Sequence, residues 1–249
     1  VEALLPEGVT GVAAAGLTAA SFFTSLISAA LGLGGGVLLL AIMAAVMPAS
    51  AIIPVHAVVQ LGSNLGRAVL MVGHVDRAAL PAFAAGSALG AFLGGAVAVD
   101  LPPEGVRLAV GLFILWTLVA KPPAFLRRAA FPAGAASSFL SMFFGATGPF
   151  TMAYVRTREL GRMGTVATHA GFMTLQHLLK IAAFGLFGFA FAPWTGLVAA
   201  MIVAGLAGTW AGGRVLTRLP ERAFRIALQG LLALIALQLV WEGATGLSH

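Results

Sequence analysis

Two stretches of this chain carry polar residues where apolar ones surround them. His56, Gln60, Ser63, Asn64 and Arg67 recur at helical spacing, so they share one face. His169, Met173, Gln176, His177 and Lys180 repeat that spacing 113 positions later. Both faces hold cations and neutral donors, and neither holds a carboxylate. Such a set suits an anion and opposes a metal cation. The chain has no cysteine, which removes thiol nucleophiles and Cys-ligated metals. A nucleophile–base pair of Ser63 and His56 lacks an elbow or oxyanion arrangement, and H-E-x-x-H and paired aspartates are missing, so no enzyme is expected. No metal and no cofactor are expected either.

A second feature is glycine where a helix is most needed. Gly32, Gly34, Gly35 and Gly36 interrupt a hydrophobic run, and Gly145 and Gly148 do the same in the stretch G-A-T-G-P. A broken helix exposes backbone N–H groups at the start of its second half, and these favour an anion. Pro149 fits the first helical position there. Two such ends, approaching from opposite sides, would cradle one small anion. The same glycines equally permit close helix packing. Gly34, Gly35, Gly36, Gly148, Gln60, Asn64, Gln176 and His177 are the candidate substrate ligands. His56, Arg67, His169 and Lys180 are candidates for charge relay or gating. Arg67 and Lys180 also lie where they can snorkel to an interface, and the histidines can be satisfied core residues.

The elements that must position these residues follow from composition. Of 249 residues 60% are hydrophobic and 9% charged, against roughly 25% charged in soluble domains. The mean hydropathy is +1.01. Apolar segments run approximately over 9–31, 37–47, 52–73, 78–99 and 104–120, then over 132–145, 149–156, 163–190, 194–216 and 221–241. The fold class expected is an all-α polytopic membrane protein. Segments 37–47 and 149–156 are too short to cross ~30 Å of hydrocarbon, which predicts discontinuous or re-entrant helices after the breaks.

The second set of segments repeats the first. Ser28 and Ser141, His56 and His169, Asn64 and His177, Arg67 and Lys180 all correspond at the same offset. After a five-residue insertion the offset becomes 118, where Gly90, Gly94 and Gly95 meet Gly208, Gly212 and Gly213, and Arg107 meets Arg225. The glycine triplets read as packing faces. Residues 1–122 and 131–249 are expected to be two repeats within one integrated membrane domain. Each half crosses the membrane an odd number of times, so the second lies inverted, a pattern of secondary transporters.

Charge placement gives the orientation. Eleven of the fourteen basic residues, from Arg77 and Lys121 to Arg222 and Arg225, fall on one side. The other side receives Arg107 with Glu2, Glu7, Asp100, Glu104 and Glu242. The positive-inside rule puts the first side in the cytoplasm and both termini outside. The net charge of +6 therefore reports topology and not nucleic acid. The first residues lack a basic n-region, so a cleaved signal is not expected. The partners expected are a small anionic substrate and the lipid bilayer, with oligomeric state, a homo-oligomer included, left open.

These features together resemble the TauE/SafE family of membrane permeases. The resemblance rests on G-L-G-G-G at 32–36, the duplicated module, a polar third segment ending in G-H-V-D at 73–76, and L-P-x-E-x-x-R at 101–107. It implies export of sulfite, or of a small organosulfonate such as sulfoacetate, across the bacterial inner membrane. It also implies a functional role for the glycines at 32, 34, 35, 36, 145 and 148. The second break departs from a glycine run. The alternative is a channel-like conduit or a permease for another small anion or solute.

Overall fold

A computed structural model describes residues 5–31, 34–98, 102–121, 123–127, 129–215 and 221–247. Gly32, with Glu2, Asp100, Arg128 and Arg218, lies outside them. The described elements are helical: α1 (Gly11–Leu31), α2 (Gly35–Val46), α3 (Ala49–Leu70), α4 (Leu80–Ala98) and α5 (Pro103–Val119) form the first series. The second is α6 (Ala130–Phe144), α7 (Gly148–Val155), α8 (Gly161–Leu186), α9 (Thr195–Val215) and α10 (Glu221–Gly246).

Three helical stretches, Gly11–Ala29, Arg77–Ala98 and Ala192–Gly212, are long and apolar enough to cross a membrane. α3 and α8 have the length, with 22 and 26 residues, but polar faces dilute their apolar content. α2 has 12 residues and α7 has 8, which at 1.5 Å per residue reach only about 18 Å and 12 Å. Neither covers the hydrocarbon alone. The outer surface is apolar: Leu89, Phe92, Leu93 and Val97 on α4 are exposed, as a lipid-facing helix requires.

The main helix contacts pair the two series: α4 with α6, α1 with α9, α5 with α10, and α3 with α8. Lipid supplies no hydrophobic force between helices, so close backbone approach must hold them together. A Cβ on Gly86 or Gly90 would strike the Phe131 or Ala135 carbonyl of α6. On α9, one on Gly208 or Gly212 would strike the Phe22 or Leu26 carbonyl of α1. These glycines are packing residues. Ser21 adds a hydrogen bond from α1 to the Met201 carbonyl at 2.7 Å.

At one end, Asp76 ties the α3–α4 connection to the second series. Its amide donates to Thr168 Oγ1 at 2.9 Å, and its carboxylate meets Arg158 Nε at 2.8 Å. The hydrogen bond and the charge of that carboxylate hold the Arg158 guanidinium above its ordinary pKa.

Several boundaries move. α3 begins at Ala49, ahead of the apolar segment expected over 52–73, and includes Pro54. α8 stops at Leu186, short of 190, and Gly188 follows with a φ of 95°. Pro149 is the second residue of α7, since Gly148 opens it. Its missing N–H still falls in the first turn, where no helical partner exists.

Candidate functional site

Both breaks are real interruptions. Gly34 precedes α2 with φ 101°, a conformation that L side chains rarely adopt. Gly145 ends α6 with φ 78°. The first helical bond of α2 runs from the Leu38 amide to the Gly34 carbonyl at 3.0 Å. The amides of Gly35, Gly36 and Val37 therefore stand ahead of the ladder. In α7 the Phe150 and Thr151 amides both bond the Thr147 carbonyl, at 3.0 and 3.4 Å. Pro149 has none, so Gly148 keeps the one amide of that first turn outside the ladder.

The long helices α3 and α8 brace these ends with equivalent residues. His56 Nε2 lies 2.9 Å from the Gly36 carbonyl, and His169 Nε2 lies 3.1 Å from that of Gly148. A carbonyl only accepts, so each imidazole carries its proton on Nε2. Nδ1 of both rings is buried without a partner, as is Nδ1 of His177. The His56 and His177 rings stand edge to face, 6.1 Å apart.

The two basic residues reach the helix ends before the breaks. Arg67 Nη1 donates to the Ser28 carbonyl in the last turn of α1 at 3.4 Å, and Nη2 to Asn64 Oδ1 at 3.5 Å. Its Nε is buried and unpartnered. Asn64 is itself held by a 2.8 Å bond from Nδ2 to the Gln60 carbonyl, so it positions Arg67. Lys180 Nζ donates to the Gly145 carbonyl at 2.6 Å. Arg67 is 6% exposed and Lys180 0%. Neither snorkels.

Between the breaks lies a cavity of about 50 Å³. The first series contributes Ser28, Gly34, Gly36, Gln60, Asn64 and Arg67, with Val37 and His56 beside them. The second contributes Ala146, Gly148, Pro149, His169, Met173 and His177. No carboxylate lines it among the described residues. The ion pairs among the described residues, Arg158–Asp76 and Arg107–Glu242, involve other residues. A buried guanidinium without a counterion costs several kcal/mol, and Arg67 lines the cavity as such a group. No cluster of metal-ligating side chains occurs among the described residues, and two of the three histidines spend Nε2 on carbonyls.

Three candidate residues stand behind the wall instead of on it. Gln176 Nε2 donates to Ser137 and Ser138 Oγ at 3.1 and 3.0 Å, and Thr147 Oγ1 donates to its Oε1 at 3.5 Å. Gln176 thus fastens the second break to α6. Gly35 is packed so closely on α1 that a Cβ would strike the Thr24 carbonyl. Lys180 is occupied by Gly145. Conversely, sequence reasoning gave no role to Val37, Ala146 or Met173. Met173 sits on the α8 polar stripe, and its place there was the available signal.

Comparison with curated proteins and with solved structures returns no match. A family model described as "Sulfite exporter TauE/SafE" matches residues 17–239, which include both breaks and both polar faces, and the chain belongs to that family.

Proposed function

We propose that this protein is a secondary transporter that exports a small sulfur oxyanion across the inner membrane by alternating access. The observation that carries the reading is Arg67, a buried guanidinium with no ion-pair partner among the described residues, lining a cavity whose described lining holds no carboxylate. The anion occupies that cavity. The Gly36 and Gly148 amides, Gln60 and His177 are its ligands beside Arg67. Asn64, Gln176, His56 and His169 position the ligands, and Lys180 adds positive field from behind Gly145.

Size favours sulfite. A water needs about 10–15 Å³ of such space, so a cavity of about 50 Å³ takes roughly three to five heavy atoms. Sulfite has four; sulfoacetate has eight and needs a wider state. No reaction step is assigned to any residue, and the activity proposed is transport alone.

Residues 1–122 and 131–249 are read as two inverted repeats of about five helical segments in one membrane domain. Exchanging the series turns the α1–α9 contact into α6–α4 and leaves the α3–α8 and α5–α10 pairs in place, which supports that reading. The arginine-rich side is assigned to the cytoplasm and both termini to the outside. Export runs downhill in a cell with a negative interior, by about 2.3 kcal/mol per charge per 100 mV.

Liposomes loaded with sulfite test the proposal. Saturable efflux, accelerated by sulfite on the far side and impaired in Asn64→Leu and His177→Leu, is the expected result. Full flux in both variants removes these side chains from the site. Non-saturating flux without countertransport favours a channel.

A further inference from the structure

The cavity is lopsided. At equivalent positions α3 presents Gln60 and Arg67, whereas α8 presents Met173 and withdraws Lys180 onto Gly145. The first-series wall thus carries the Gly36 amide, an amide side chain and a guanidinium. The facing wall has the Gly148 amide and His177, but beside them a thioether, the Pro149 ring and the Ala146 methyl. His169 spends its Nε2 proton on the Gly148 carbonyl, and its unpartnered Nδ1 only accepts, so His177 is the histidine of that wall left to donate.

We propose that Met173 is a specificity-determining residue, closing the site to a fourth oxygen. Three oxygens of the anion face the Gly36 and Gly148 amides, Gln60, Arg67 and His177, and the fourth direction of the central atom points at the thioether. Sulfite directs its sulfur lone pair there, and methanesulfonate a methyl group. Sulfate directs a charged oxygen, which loses its water and finds no N–H or O–H, since a thioether is only a weak acceptor. Met173 is buried, and an anion that fills the cavity of about 50 Å³ leaves little room for a water to supply the missing donor. The inference rests on the transport reading of this cavity.

The test is equilibrium binding of sulfite, methanesulfonate and sulfate to the full chain in lipid nanodiscs, with Met173→Gln and Met173→Leu. Gln is close in volume to Met and adds a donor. Wild type is expected to prefer the three-oxygen anions over sulfate by roughly tenfold or more, the worth of one unmet hydrogen bond. Leu keeps that preference, and Gln reduces it by tightening sulfate. If the Gln variant does not fold, Met173→Ser supplies a hydroxyl donor and carries the same expectation. Equal affinities in wild type, or an unchanged ratio in a folded donor variant, overturn the role of Met173 while sulfite binding leaves the transport reading intact. Wild type that binds none of the three overturns both.

Discussion

Lys180 closes the end of α6 by donating to the Gly145 carbonyl at 2.6 Å, while Arg67, its counterpart in the repeat, reaches the Ser28 carbonyl of α1 at 3.4 Å and keeps an unpartnered Nε. A cation at a helix C-terminus is favoured by the aligned peptide dipoles. The two residues thus differ: both bond a backbone carbonyl, but only Arg67 keeps a buried N–H without a partner.

Arg67→Met is expected to weaken sulfite binding by roughly a hundredfold or more, the worth of a buried charge-assisted contact. Arg67→Lys restores part of it, because an ammonium lacks the guanidinium fork. Isothermal titration of purified protein reads both.

Lys180→Met is expected to cost much less. A unit charge about 10 Å away contributes roughly 1.7 kcal/mol at an effective dielectric near 20, so affinity falls on the order of tenfold without being lost. An unchanged affinity shows that the ammonium contributes no field at the anion.

The adjacent glycines of the first break separate packing from binding. Gly35→Ala drives a methyl into the Thr24 carbonyl of α1, a rigid neighbour. Loss of folded protein in detergent is expected. Gly36→Ala meets only the end of the Gln60 side chain, which can turn away. That variant should fold, melt near the wild-type temperature and bind sulfite more weakly.

The helix order, both breaks and the packing glycines were legible in the sequence because each has a local cause: apolar length, helix-breaking residues, small residues at three- and four-residue spacing. The polar faces of α3 and α8 were legible for the same reason. Division of labour within those faces was not. Gln176 shares a helical stripe with His169 and His177, yet Ser137 and Ser138 of α6 and Thr147 before α7 claim its amide. Helical periodicity reports which way a residue points and not what waits there. Gly34 and Gly35 are neighbours in a glycine run, but one lines the cavity and the other seats α2 on α1. Only the fold distinguishes them.

The orientation is tested by labelling. The chain has no cysteine, so each introduced thiol is unique. Glu7→Cys should react with a membrane-impermeant maleimide in right-side-out vesicles. Arg162→Cys should react only after the membrane is opened. The reverse pattern inverts the topology.

Selenite, a three-oxygen anion with a heavier central atom, gives the most direct measurement. An experimental structure of the protein with selenite, located by its anomalous signal, is expected to place one selenium per chain between Gly36 and Gly148, within contact of Arg67. Selenium bound elsewhere, with that cavity empty at saturating selenite, contradicts the account.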